Sequence, residues 1–175
     1  MKKAFSLIEL LIVVLIVGIV YTLAISGFND LKQGKAKPTL LTLKSYLSKI
    51  EYKQDVKLIC LDLCETCIVL VDGEVKQELS EQFDGFLDKD VRVHMFNINT
   101  GLQNVPDAIY FNSEGTSEDI CFSFEIDKKG VSNQVIVEYK DNVYDFTSYL
   151  GETKKYTSTS DLIDAKQKVI NEVLN

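Results

Sequence analysis

The chain is short of several residues that chemistry or flexible architecture would need. It has one histidine, two prolines and four cysteines in 175 residues. A lone histidine, His94, leaves little room for imidazole-based chemistry. A Ser-His-Asp or Cys-His hydrolase needs its base beside a nucleophile, and nothing near Val93-His94-Met95 supplies one. That tripeptide alternates like a strand, so His94 reads as a structural or surface residue. Two prolines exclude a proline-rich linker or stalk. There is no internal repeat, no low-complexity stretch and no glycine-rich loop able to cradle a phosphate. Basic residues are also outnumbered, with 19 Lys and Arg against 26 Asp and Glu and a net charge of −7. Binding to a phosphate backbone rests on Lys and Arg displacing counterions, so an acidic chain is a poor nucleic-acid carrier. The local basic stretch from Lys32 to Lys37 does not reverse that balance.

What is present is an apolar run at the N-terminus. Residues Phe5 to Ile25 carry a single charge, Glu9. A helix of about 21 residues at 1.5 Å per residue spans about 30 Å, the hydrocarbon thickness of a bilayer. A secretory signal usually has a shorter apolar core with its small-residue cleavage site on the far side. Here the polar part comes first, is four residues long and ends in a small residue, Ala4. Lys2 and Lys3 predict a cytoplasmic N-terminus, with the chain beyond Ile25 outside. Glu9 is the anomaly, because an ionised group near the centre of a membrane helix costs on the order of 3 kcal/mol and needs a partner.

The string Lys2-Lys3-Ala4-Phe5-Ser6-Leu7-Ile8-Glu9-Leu10-Leu11 resembles the leader and start of type IV pilins and type II secretion pseudopilins. The resemblance implies that a prepilin peptidase cuts between Ala4 and Phe5 and methylates the new amino terminus of Phe5. It makes Glu9 the family's acidic assembly residue and implies two further partners, other pilin subunits and an inner-membrane assembly platform. Loss of Lys2 and Lys3 with the leader would lower the net charge of −7 by two. Two positions depart from the usual pattern. Ala4 stands where glycine is commoner, and Ser26 stands where many pilins carry a mid-helix proline. Ala4 implies slower processing, and the missing proline at Ser26 tilts the reading toward a minor, pseudopilin-like subunit. A carboxylate about 4 Å from a buried ammonium offsets it by roughly 4 kcal/mol at an effective dielectric near 20. Glu9 of one subunit facing the Phe5 amine of its neighbour would therefore set the axial stagger of a filament.

The expected organisation is a leader over 1–4, a transmembrane and polymerisation helix over 5–25, and its amphipathic continuation over 26–53. A β-rich periplasmic domain with a C-terminal helix follows over 54–175. Leu40, Leu43, Leu47 and Ile50 predict one apolar helical face, with a break at Lys35 to Pro38. Strands are predicted at Lys57 to Leu63, Cys67 to Val71, Glu74 to Leu79, Val91 to Ile98, Ala108 to Asn112, Ile120 to Ile126, Gln134 to Tyr139 and Val143 to Tyr149. Asp72-Gly73 and Asp141-Asn142 read as hairpin turns. Asp161 to Leu174 reads as a helix capped by Ser160, with an apolar stripe of Leu162, Ala165, Val169 and Val173. The fold class is α+β: a long N-terminal helix packed on an antiparallel sheet, with an added C-terminal helix.

The spacing Cys60-x3-Cys64-x2-Cys67 matches a radical S-adenosylmethionine cluster motif, but a segment between short strands outside a membrane does not suit that chemistry. A four-thiolate zinc site with Cys121 is chemically open. An exported chain with an even cysteine set favours two disulfides. The expected pairs are Cys64 with Cys67 and Cys60 with Cys121. The acids between Asp84 and Asp90 lack the regular ligand spacing of a calcium loop. No catalytic residue, cofactor or resident metal is expected, and the chain reads as structural rather than enzymatic. Two alternatives stay open: a competence pilin that contributes to DNA uptake, and a membrane-tethered redox or metal-binding protein.

Overall fold

The computed structural model describes residues 11–18, 37–149 and 151–174. The chain divides into two compact units, residues 1–36 and 37–175. Within the first, residues 11–18 form a helix, α1. The remainder of the predicted span over 5–25 lies outside the described residues. So do Ala4, Phe5, Glu9, Ser26 and the basic stretch up to Ala36.

The second unit opens with α2 (Leu43–Leu47), much shorter than the amphipathic continuation predicted up to residue 53. Local chemistry explains the shortening. Pro38 has no N–H to give, and the Thr39 and Thr42 side chains bond each other's backbone, with Thr42 N–H donating to Thr39 O at 3.0 Å. Such hydroxyl-to-backbone bonds offer an alternative to the helical ladder. The apolar face is nevertheless where the spacing put it, with Leu40, Leu43 and Leu47 buried in the main core.

Among the described residues ten strands follow, in two antiparallel sheets. The first has the order β3-β2-β1-β7-β6, built from β1 (Asp55–Leu61), β2 (Thr66–Val71), β3 (Glu74–Val75), β6 (Ala108–Phe111) and β7 (Ser117–Asp127). The second has the order β10-β9-β8-β4-β5, from β4 (Arg92–Asn97), β5 (Gly101–Asn104), β8 (Ile136–Tyr139), β9 (Asn142–Asp145) and β10 (Lys154–Tyr156). Alternate residues of the first sheet (Val56, Leu58, Val69, Phe122, Phe124) share one core with α2 and with Val135, Val137 and Phe146. Each such side chain removed from water contributes roughly 1.5–3 kcal/mol. The other face of the second sheet packs Ile136 and Val143 against Leu162 of α4 (Thr159–Leu174).

Several boundaries differ from the sequence reading. The strand predicted over Glu74 to Leu79 stops at Val75, and a helical turn, α3 (Gln77–Ser80), replaces the rest. The cause is Ser80, whose hydroxyl accepts the Val69 N–H at 2.9 Å and so occupies the site a longer β3 would use. The turn at Asp72-Gly73 is as predicted, both residues having positive φ (53° and 81°) between the paired Val71 and Glu74. The second hairpin turn is one residue earlier than predicted: Lys140 and Asp141 carry φ of 48° and 58°, and Asn142 already pairs with Tyr139. β9 ends at Asp145 rather than Tyr149, because the Asp145 carboxylate folds back onto the Thr147 N–H at 2.9 Å. α4 starts two residues early, with Ser158 rather than Ser160 accepting the Asp161 N–H at 3.1 Å. Val169, placed on the buried stripe, is 57% exposed.

Candidate functional site

In α1, every residue from Leu11 to Val17 is about half exposed or more, from 49% to 64%. Eight helical residues make more than two turns, so the exposed apolar surface runs all the way round the axis. A helix apolar on every side needs lipid or other helices around it. Among the described residues no helix is long and apolar enough to cross a membrane. Ala4 and Phe5, between which cleavage is expected, and Glu9, the expected assembly residue, lie outside the described residues.

The four cysteines come together at one end of the first sheet, as two disulfides. The pairing differs from the one expected. Cys60 joins Cys67, and Cys64 joins Cys121, instead of Cys64 with Cys67 and Cys60 with Cys121. Register decides the first pair: Cys60 and Cys67 are directly opposed in the β1–β2 hairpin, with Cα atoms 4.0 Å apart. A bulge decides the second. The β1–β7 register steps from Cys60↔Phe122 to Leu61↔Ile120, which leaves Cys121 as the extra residue. Bulges re-aim side chains, and this one presents the Cys121 sulfur to Cys64, whose φ of 64° turns it inward to full burial. The Cys121 Sγ sits 3.1 Å from the Cys60 carbonyl oxygen. A hairpin and a bulge are not visible in Cys-x3-Cys-x2-Cys spacing, so the sequence left the connectivity open.

Two lysines lock the second unit. Lys44 of α2 donates to the carbonyl oxygens of Ser148 (2.6 Å), Tyr149 (2.9 Å) and Gly151 (3.1 Å), which fastens the loop between β9 and β10. Burial pushes its ammonium below the usual lysine range. Lys166 of α4 meets the buried Asp145 carboxylate at 2.6 Å and also reaches Thr147 Oγ1. Thr147 in turn donates its hydroxyl to Asp145 at 2.6 Å, so the buried charge is both paired and hydrogen-bonded. Spacing alone marked neither lysine, because each partner is far away along the chain.

The other polar residues noted in the sequence do not converge. His94 on β4 has its Nε2 3.7 Å from Glu138 and without a hydrogen bond among the described residues. Asp88 accepts the Tyr139 hydroxyl at 2.7 Å, and that bond, ahead of the Asp90 N–H, holds its carboxyl below the ordinary range. Asp72, in the hairpin turn itself, accepts the backbone N–H groups of Gln54 (2.6 Å) and Lys53 (3.0 Å). These bonds, led by Gln54, hold the Asp72 carboxyl below its ordinary value. Among the described residues no group of three or more His, Cys, Asp or Glu side chains is arranged to hold a metal ion.

The described geometry is thus a small disulfide-tied β domain and, in the other unit, a short helix with exposed apolar residues. No curated protein and no solved structure matches the chain. One family model does, the prokaryotic N-terminal methylation motif, and it covers residues 1–25. The matched segment holds Ala4, Phe5 and Glu9, and the match supports a likeness to the type IV pilin and pseudopilin family.

Proposed function

We propose that the chain is a structural subunit, of minor-pilin or pseudopilin type, in a type IV pilus-like or type II secretion filament. Prepilin peptidase removes residues 1–4 and methylates Phe5. The apolar helix first anchors the subunit in the inner membrane, with the C-terminal domain on the periplasmic side. It then leaves the bilayer laterally, through an assembly platform, to pack among the same helices of other subunits. Glu9 pairs with the Phe5 amine of a neighbour, an attraction of roughly 4 kcal/mol at about 4 Å and an effective dielectric near 20.

The observation that carries this reading is the N-terminal methylation motif over residues 1–25. The all-round exposed apolar surface of Leu11 to Val17 supports it, since a filament core or a bilayer would cover all of that surface. Two disulfides suit an oxidising compartment outside the inner membrane. The test is Glu9→Val. It should leave membrane insertion intact and reduce recovery in sheared filaments at least tenfold relative to the membrane-bound pool. Wild-type recovery of the variant would remove the role given to Glu9.

A further inference from the structure

The two sheets have four outer strands: β3, β6, β10 and β5. Open edges invite pairing with foreign strands, and proteins usually blunt them with shortness or charge. β3 is two residues long and its continuation is closed off by the Ser80 hydroxyl. β10 is three residues long, and two of them are Lys154 and Lys155. β5 offers one apolar side chain, the partly buried Leu102. β6 (Ala-Ile-Tyr-Phe) has none of these protections, and its Ile109 and Phe111 are 54% and 67% exposed.

The register shows which backbone groups face outward. In an antiparallel pair, hydrogen-bonded and non-bonded residue pairs alternate. Asn112 N–H donates to Thr116 O at 3.0 Å, so Phe111↔Ser117 is a non-bonded pair, Tyr110↔Glu118 a bonded one and Ile109↔Asp119 again non-bonded. The carbonyl of Asp119 independently agrees, because it accepts from Asp62 N–H at 2.7 Å, on the β1 side of its strand. The N–H and C=O of Ile109 and of Phe111 therefore point away from β7, where the sheet ends. Their side chains share one face, two residues apart.

Charge selects the occupant. Between Val93 and Asp127 the chain has six acidic residues and no lysine or arginine. Asp107 and Glu114 flank β6 and are exposed, and exposed Asp119 lies opposite Ile109. A second copy paired antiparallel through β6 would bring Asp107 near Glu114 of its mate at both ends, which is unfavourable. We infer that the β6 edge is a docking site for an extended strand of another protein, one with apolar residues at alternate positions and Lys or Arg at its ends. Backbone bonds to Ile109 and Phe111 supply affinity, and the acidic flanks set specificity. The edge would recruit such a strand whether or not Glu9 and Phe5 pair.

The probe is a synthetic peptide of alternating Val and Thr with two lysines at each end, and the control has glutamates there instead. Both are added to the full chain in detergent micelles, and amide hydrogen exchange is followed residue by residue. At saturation the lysine-ended peptide should slow exchange at Ile109 and Phe111 at least about tenfold, leaving Ala108 and Tyr110, already bonded to β7, unchanged. Ile109→Pro removes only an outward N–H, a position where an edge strand tolerates proline, and should abolish the slowing. Asp107→Lys with Glu114→Lys, both at exposed sites, should weaken binding of the lysine-ended peptide at least tenfold. No slowing with that peptide, equal slowing with the glutamate-ended control, or undiminished binding by the lysine double variant would each overturn the inference. So would protection that grows with protein concentration in the absence of peptide, because the occupant would then be a second copy.

Discussion

The two disulfides should differ in what they contribute to stability, and the order follows from the loops they close. Cys60–Cys67 spans 7 residues and Cys64–Cys121 spans 57. In the chain-entropy description, closing a loop of n residues removes about 2.1 + 1.5R ln n cal/mol/K from the unfolded ensemble, which gives roughly 2 kcal/mol for the short loop and roughly 4 kcal/mol for the long one at 25 °C. Position reinforces the difference. The short bridge joins residues already paired in a hairpin, whereas the long one holds the β1–β2 turn against the bulge of β7. The perturbation is a pair of double variants, Cys60→Ala with Cys67→Ala, and Cys64→Ala with Cys121→Ala. Alanine avoids leaving a hydroxyl in a buried site. Urea unfolding of the full chain in micelles, followed by near-ultraviolet dichroism of the tyrosines, reads the difference. The Cys64/Cys121 variant should be the less stable of the two by about 2 kcal/mol. Equal losses, or a larger loss for the Cys60/Cys67 variant, would refute the entropic reasoning. Recovery of a Cys64–Cys67 peptide from a non-reducing digest of the native protein would refute the pairing itself.

Other consequences follow from the polar locks. Lys166→Met leaves the Asp145 carboxylate buried without its cation and should cost about 3 kcal/mol in urea unfolding; a loss under about 0.5 kcal/mol would show that the pair does not hold α4. Asp72 carries its charge more readily in the folded chain than its ordinary value of 3.8 would imply. Its contribution is therefore fully present above that value and disappears as pH falls through the lowered one. The stability gap between wild type and Asp72→Asn should be constant from pH 7 down to about 5 and close below about 4, and a gap that widens on acidification would contradict the hydrogen-bond geometry.

How far the sequence could be read depended on the range of the interaction. Leu40, Leu43 and Leu47 were legible as a buried face because helical spacing is local, yet the length of α2 was not, since Thr39 and Thr42 spend their hydroxyls on backbone. Asp72-Gly73 announced its turn through residues that accept positive φ. Asp141-Asn142 misled by one position, because Lys140 adopts positive φ without any marker in its side chain. β5 and β10 went unseen: Leu-Gln-Asn and Lys-Lys-Tyr lack the β-branched runs that mark strands, and only pairing with β4 and β9 makes them extended. The cysteines were found as a set, but the connectivity needed the register of three strands. Lys44, Lys166 and the outward groups of β6 are likewise products of tertiary placement. The N-terminal motif is the opposite case, since its small residue, aromatic, glutamate and apolar run are contiguous.

The processing of the N-terminus is what the filament reading stands on, and intact-mass and peptide mass spectrometry of the protein recovered from cells measures it directly. The expected species begins at Phe5, lacks Met1 to Ala4 and carries one methyl group on the Phe5 amine. A chain that retains Met1 to Ala4, or one cut after Ile25, would contradict it.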